Sequence, residues 1–261
     1  MSKLPAALLV GFFTMLGTLS AFDFFYLVLE WPGSYCDAAT SCCYPQSGKP
    51  ASDFSIHGLW PNNLDGSYPE NCDPSRPFNA SQIGGLRGDM DALWSSLSCP
   101  SSNSEKFWAH EWEKHGTCSE KILRSQRDYF AAALRLRKSV DLLGALEQAG
   151  ISPDGKSYAL SLIKNALQDG GYAPGITCNA DDDDSGSSQL YQIYLCVSKE
   201  NLEITPCPRE RSAIDRSIME AGAPSDRRIL RFDCLLDCIV SGSLSFGFNA
   251  ATSHGFWGLA A

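Results

Sequence analysis

Apolar residues fall along this chain in one unbroken block and then in two rhythms, and their order predicts the elements. The block comes first, from Leu8 to Leu16 of "MSKLPAALLVGFFTMLGTLSA", after a single lysine and before the small residues Thr18, Ser20 and Ala21. That layout is a cleaved secretory signal over residues 1–21, too short for a convincing membrane anchor. "FDFFYLVLEW", Phe22 to Trp31, has the aromatic and β-branched density of a buried strand and stops at Pro32 and Gly33. A second strand, "DFSIHGLW", runs into the turn-rich loop "PNNLDGSYPENCDPSRP", and Leu190 to Val197, "LYQIYLCV", forms the clearest third. Apolar spacing predicts helices over Ser104–His115, Asp128–Leu146 and Ser157–Leu167, with Ser102 and Glu105 as a capping box for the first and Gly116 as its end. Strands and helices alternate without a β-α-β rhythm or a repeat. The class is therefore α+β, a mostly antiparallel central sheet with several packed helices. Residues 22–208 read as one domain; after Pro208 a charged, helix-like stretch gives way to an apolar, aperiodic end, so 209–261 form a tail of unassigned structure.

Composition narrows the class of protein. A chain of 261 residues with 44% hydrophobic and 20% charged residues holds a substantial buried core. Its net charge of -9 gives it no general grip on long nucleic acid, so a polyanionic substrate would have to be held locally. The eleven cysteines, in an exported chain, read as a disulfide framework with one thiol over. Zinc would need C-x-x-C or comparable clusters, and no C-x-x-C occurs. The sequon Asn79-Ala80-Ser81 suggests a glycan on an exposed loop. No later segment approaches the ~18 apolar residues of a spanning helix, and a soluble mature protein is expected.

The chemistry concentrates in "FWAHEWEKHGTC", residues 107–118. A helix advances about 100° per residue, so with His110 at zero Lys114 lies near 40°, Glu111 near 100° and His115 near 140°. The four polar groups share one face, and Trp112 and Glu113 point elsewhere. A solvated charged face would look similar, but two of the chain's four histidines sit here. A zinc-protease reading needs H-E-x-x-H, whereas these histidines are five apart and rotated by about 140°, poor for one metal. His57, in "FSIHGLWP", lies on a predicted strand, where a lone histidine is more often structural. Paired with the helix motif it supplies what phosphoryl transfer by RNA's own 2'-hydroxyl requires, one base and one acid about phosphorus. Lys114 would then stabilise charge and Glu111 orient its neighbours or tune their pKa values, with no metal or cofactor required.

"FSIHGLWP" and "FWAHEWEKHGTC" closely resemble the two active-site segments of the ribonuclease T2 family. "DFFYLVLEWPGSYC", "SCCYP", "GGYAPGITCN" and "SQLYQIYLCV" are similar to its plant S-like branch. The resemblance covers about Phe22 to Pro208. It implies a secreted or vacuolar endoribonuclease acting on single-stranded RNA, monomeric and without an obligate protein partner. His57 would be the general acid, His115 the general base, and Glu111 and Lys114 the transition-state stabilisers. His110 would bind phosphate, Trp60 and Tyr68 would stack bases, and Phe107 would belong to the substrate site. Glu30 stands where relatives commonly have a base-contacting glutamine, a departure that would weaken or alter base choice. The implied disulfides are Cys36–Cys42, Cys43–Cys99, Cys72–Cys118 and Cys196–Cys207, with Cys178 pairing near the C-terminus, where Cys234 and Cys238 are candidates. Residues 209–261 match none of the family's closing segment. A secreted storage or defence protein with the fold but no activity is the alternative, and intact His57, His110, His115, Glu111 and Lys114 argue against it.

Overall fold

The structure is a computed structural model that describes residues 22–37, 42–45, 47–100, 103–180, 188–207 and 238–239. The expected signal peptide and nearly all of the tail lie outside the described residues. The first strand, β1 (Phe24–Glu30), is buried at every position. It is central, antiparallel to β2 (Ser55–Asn62) on one side and to β5 (Ser188–Ser198) on the other. Between β1 and β2 lies the short helix α1 (Pro32–Asp37), which Pro32 opens at the position where its missing N–H costs nothing. After β2 come a 3-10 turn (Ala80–Leu86), α2 (Arg87–Leu93), α3 (Ser104–Lys114) and a second 3-10 turn (Gly116–Ser119). Then follow α4 (Gln126–Lys138), α5 (Leu142–Gln148), β3 (Ser157–Tyr158), α6 (Leu160–Asp169) and β4 (Gly175–Ala180), which pairs antiparallel with β5. Two residues far along the chain, β6 (Cys238–Ile239), run parallel to the start of β5 and antiparallel to β3. The α+β class and the mostly antiparallel sheet follow the sequence reading.

Alternation along the strands gives the sheet two different faces. Phe25, Leu27 and Leu29 of β1 join Ile56 and Leu59 of β2 and Ile193, Leu195 and Val197 of β5 in the main core, with the helices packed against it. The opposite face carries a smaller cluster, Phe24, Tyr26, Val28 and Cys196, with Trp60 and Tyr194 against it. Both faces of β1 are thus covered, which is why its sequence is apolar without alternation.

The helix boundaries differ from the sequence reading in three places. The expected helix Asp128–Leu146 is two helices. Ser139 caps α4, Asp141 accepts from Gly144 N–H to open α5, and Val140 between them is in the core. The helix expected from Ser157 begins only at Leu160, because Ser157 and Tyr158 are taken up in strand pairing. The cap of α3 is Asn103, whose Oδ1 accepts from Lys106 N–H; Ser102 lies outside the described residues, and Glu105 pairs with Arg87. Gly116 does end α3, but for packing reasons, since a Cβ there would sit 2.3 Å from Trp112 Cε3.

The disulfides Cys36–Cys42, Cys43–Cys99, Cys72–Cys118 and Cys196–Cys207 are formed. Cys178 is also disulfide-bonded; of its two C-terminal candidates, Cys234 lies outside the described residues and Cys238 lies in β6.

Arg137 ties the start of β2 to α4. Its Nε donates to the Phe54 carbonyl at 2.7 Å, Nη1 donates to the Val140 carbonyl at 3.2 Å, and Nη2 meets Asp53. Replacing it with methionine keeps the bulk but leaves two buried carbonyls unpaired at about 1–3 kcal/mol each. Arg137→Met should therefore unfold in urea with a stability about 2–6 kcal/mol below wild type. A midpoint within error of wild type would show that the tie is dispensable.

Candidate active site

The ladder between β1 and β2 contains one irregularity, and His57 sits in it. Val28 pairs with Gly58 and Leu29 with Ile56, so His57 has no opposite number on β1. A bulge of this kind shifts the alternation by one residue. Ile56 and Leu59, three apart, therefore both face the core, and His57 and Trp60 both turn away from it. The two rings meet edge to face with centroids 5.2 Å apart, and Phe107 of α3 closes on His57 at 5.6 Å. The His57 carbonyl accepts from Trp94 Nε1 at 2.9 Å, which fixes the bulged backbone to α2's C-terminal end.

Period-two alternation on the neighbouring strands brings Glu30 and Gln192 to the same place, since the two residues are direct register partners. The Glu30 carboxylate lies 3.2 Å from His57 Nδ1, and Gln192 Nε2 lies 2.8 Å from the same nitrogen and 3.3 Å from Glu30 Oε2. Tyr194 donates to Gln192 Oε1 at 2.7 Å. Burial works against a charge on His57. The bond and charge of Glu30, with the charge of Glu111, outweigh it and raise the His57 pKa above the ordinary histidine value.

The helix contributes the other half. Trp60 Nε1 donates to Glu111 Oε2 at 2.8 Å, joining β2 to α3 across the site, and the Trp60 indole stacks on His115 with centroids 5.0 Å apart. This crossing is close enough to require glycine at 58, because a Cβ there would fall 2.1 Å from both Glu111 Oε2 and Trp60 Nε1. Glu111 is only 1% exposed, and desolvation lifts its pKa to about 7 in spite of His57, Trp60 and Lys114. His115, equally enclosed, is pushed well below the usual histidine range by burial and by the neighbouring Lys114, His110 and His57. Its Nδ1 has no hydrogen-bond partner among the described residues. His110 is half-buried and is lowered by burial and by Lys114. Lys114 Nζ lies 3.7 Å from Glu70 Oε2. Asn71 N–H donates to the Lys114 carbonyl at 2.8 Å, Cys72 N–H donates to Thr117 Oγ1 at 3.2 Å, and the Cys72–Cys118 disulfide clasps that loop to the end of α3.

Of the residues expected from the sequence, His57, Glu111, Lys114, His115, His110, Trp60, Phe107 and Glu30 come together. Tyr68 lies on the loop after β2, 46% exposed. Trp60 has one indole face covered by His115, so only the remainder is open to a base. Asn79 is exposed, and its side chain caps the following 3-10 turn through Ser81 N–H. Gln192, Tyr194, Glu70, Trp94 and Gly58 were not anticipated. The signal for Gln192 was available only through the β1–β5 register, which puts it opposite Glu30. Among the described residues no group of three or more His, Cys, Asp or Glu side chains could hold a metal ion.

Residues 22–207 match the model of the family described as "Ribonuclease T2 family". The chain is 54% identical over 196 residues to "Extracellular ribonuclease LE" of Solanum lycopersicum, covering 75% of this chain and 84% of that one. It is 52% identical over 188 residues to "Ribonuclease 1" of Arabidopsis thaliana, covering 72% and 80%. Among solved structures, RNase NT in complex with 5'-AMP superposes with a TM-score of 0.67 at 50% identity, covering 72% of this chain and 91% of that one.

The raised Glu111 pKa has a stability consequence whose sign is fixed. The folded protein holds this proton up to about 7, whereas an unfolded chain releases it near the ordinary glutamate value of 4.5. Stability from this group is full below the lower value and is lost as pH rises to the upper one, by about 3 kcal/mol in all. Glu111→Gln cannot lose it. Urea unfolding should place the variant about 1–3 kcal/mol above wild type at about pH 8 and close to it at about pH 4. An equal offset at both pH values would show that Glu111 carries no such shift.

Proposed function

Because the chain belongs to the ribonuclease T2 family and is a ribonuclease of its plant S-like type, we propose that it cleaves single-stranded RNA by metal-independent acid–base catalysis between His115 and His57, leaving 2',3'-cyclic phosphate ends. His115 takes the proton of a 2'-hydroxyl, whose oxygen attacks the adjacent phosphorus. The bond from phosphorus to the 5'-oxygen breaks as His57 gives that oxygen a proton. Lys114 and Glu111 stabilise the charge that develops on the non-bridging oxygens, and His110 holds the phosphate. Tyr68 and the open part of Trp60 take bases by stacking, which suits unpaired RNA, and Phe107 lines the same site.

The observation that carries this reading is the opposite tuning of the two imidazoles that flank Trp60. His115 is driven toward the neutral form a base needs, and His57 toward the protonated form an acid needs. The same reading makes residues 1–21 a secretory signal, 22–208 the catalytic domain, 209–261 an appended tail, and Asn79 a glycan acceptor. Export is supported by the N-terminal apolar block and by the disulfides Cys36–Cys42, Cys43–Cys99, Cys72–Cys118 and Cys196–Cys207. No helix among the described residues is long and apolar enough to cross a membrane.

Three measurements test it. His57→Ala and His115→Ala should each lower turnover by a factor of order 100–10,000 with smaller effects on binding. Activity should fall as pH drops through the lowered His115 pKa and again as pH rises through the raised His57 pKa, giving a bell that EDTA leaves unchanged. An oligonucleotide with one deoxyribose should resist cleavage only at the phosphate 3' to that sugar. Cutting there at a comparable rate would make water the nucleophile and remove the histidine roles.

A further inference from the structure

Glu30 is an unusual occupant for its position. It ends the central strand, only 9% exposed, beneath a site that must receive a polyanion. A buried carboxylate so placed repels substrate unless its charge is engaged by something fixed, and here it is engaged by the bulged histidine. We propose that Glu30 is a positioning residue for the acid step, holding the Nδ1–H of His57 so that Nε2 faces the scissile phosphate, with Gln192 and Tyr194 as the brace that steadies the pair. The inference rests on the reading of His57 as the acid and adds the groups that make it one.

The geometry supports the assignment atom by atom. His57 Nδ1 has Glu30 Oε2 at 3.2 Å, so the ring is anchored through that nitrogen and Nε2 is left to the phosphate. When His57 surrenders its Nε2 proton to the 5'-oxygen, the proton on Nδ1 stays with the ring, and the neutral tautomer left behind is the one that Glu30 accepts from. Gln192 lies 2.8 Å from Nδ1 and 3.3 Å from Glu30 Oε2. Its NH2 donates to Glu30 Oε2, and its Oε1 accepts from the Tyr194 hydroxyl at 2.7 Å, so the amide is held at both ends beside the carboxylate.

Every charged or titratable neighbour enters the balance. From β1 comes Glu30, from β5 the Gln192–Tyr194 pair, and from α3 Glu111, which favours the charged ring, and Lys114, which opposes it; burial also opposes it. His110 and His115, on the same helix, are themselves lowered by the His57 charge. Glu30 in turn faces the Tyr191 and Tyr35 phenols, whose pKa values are raised chiefly by burial and further by this carboxylate. The phenols thus stay neutral beside the carboxylate.

The test follows the protons of the ring and then the rate. In the wild-type protein, NMR titration of the imidazole resonances, assigned with single His→Ala variants, should show His57 as the last of His57, His110 and His115 to lose its proton as pH rises. In Glu30→Gln, which keeps the shape of the side chain, the His57 titration should move to lower pH. The loss should appear in kcat more than in KM and be at least about tenfold greater at about pH 8 than at about pH 5. His57 titrating before the other two, or a Glu30→Gln defect confined to KM and equal at all pH values, would overturn the assignment and leave Glu30 a substrate contact only. Such a result would leave the ribonuclease reading standing, because that reading is tested separately by the turnover of His57→Ala and by the deoxyribose-substituted oligonucleotide. The wild-type titration decides the proposal even if Glu30→Gln does not fold.

Discussion

One surplus residue in β2 sets the geometry on which the site depends. With Ile56 and Gly58 paired to consecutive residues of β1, His57 is squeezed out of the ladder. The strand's alternation then restarts one residue late. Without that slip, Ile56 and Leu59 could not both lie in the main core while His57 and Trp60 both look out of it. The sheet keeps its hydrogen bonds on either side of the bulge, so the irregularity is confined to the residue that uses it.

The same cluster shows how one environment produces opposite electrostatic results. Burial is the largest influence on His57, on Glu111 and on His115, and in each case it disfavours charge. What separates the two histidines is which neighbours answer it. Carboxylates from β1 and α3 face His57, whereas the charged neighbours of His115 are Lys114, His110 and His57, all of its own sign. Glu111 serves both sides: it accepts from Trp60 across the strand–helix junction, desolvation holds its proton to about 7, and once ionised above that it lends negative charge to His57. The cost is borne in stability, as is usual where charge is gathered in a dry place.

How far the sequence could be read depended on how local each feature is. The face of α3 that carries His110, Glu111, Lys114 and His115 was legible because helical spacing is a property of neighbouring residues. The strands Phe22–Trp31 and Leu190–Val197 were legible from burial density, and the second motif around His57 from its resemblance. The break between α4 and α5 was not, since apolar spacing runs on through Val140 and Leu142 while the caps at Ser139 and Asp141 are ordinary polar residues. Asn103 and Ser102 are adjacent and chemically equivalent as caps, so choosing between them needs backbone geometry. The Glu30–Gln192 contact joins residues 162 apart, and only strand register brings them together. The bulge at His57 leaves no mark in composition at all.

The clasp between Cys72 and Cys118 ties the active centre to the history of the chain as well as to its shape. The loop after β2 reaches the end of α3 through that bond, through Asn71 on the Lys114 carbonyl and through Cys72 on Thr117. The two hydrogen bonds are weak alone, each worth about 1 kcal/mol. Covalent closure is what confines the loop, and it forms only where thiols are oxidised. A molecule that remained in a reducing cytosol would carry every side chain of the site yet lack the bond that keeps Lys114 and its helix end against the loop. Oxidation of one cysteine pair is thus as much a part of building the site as the side chains that line it.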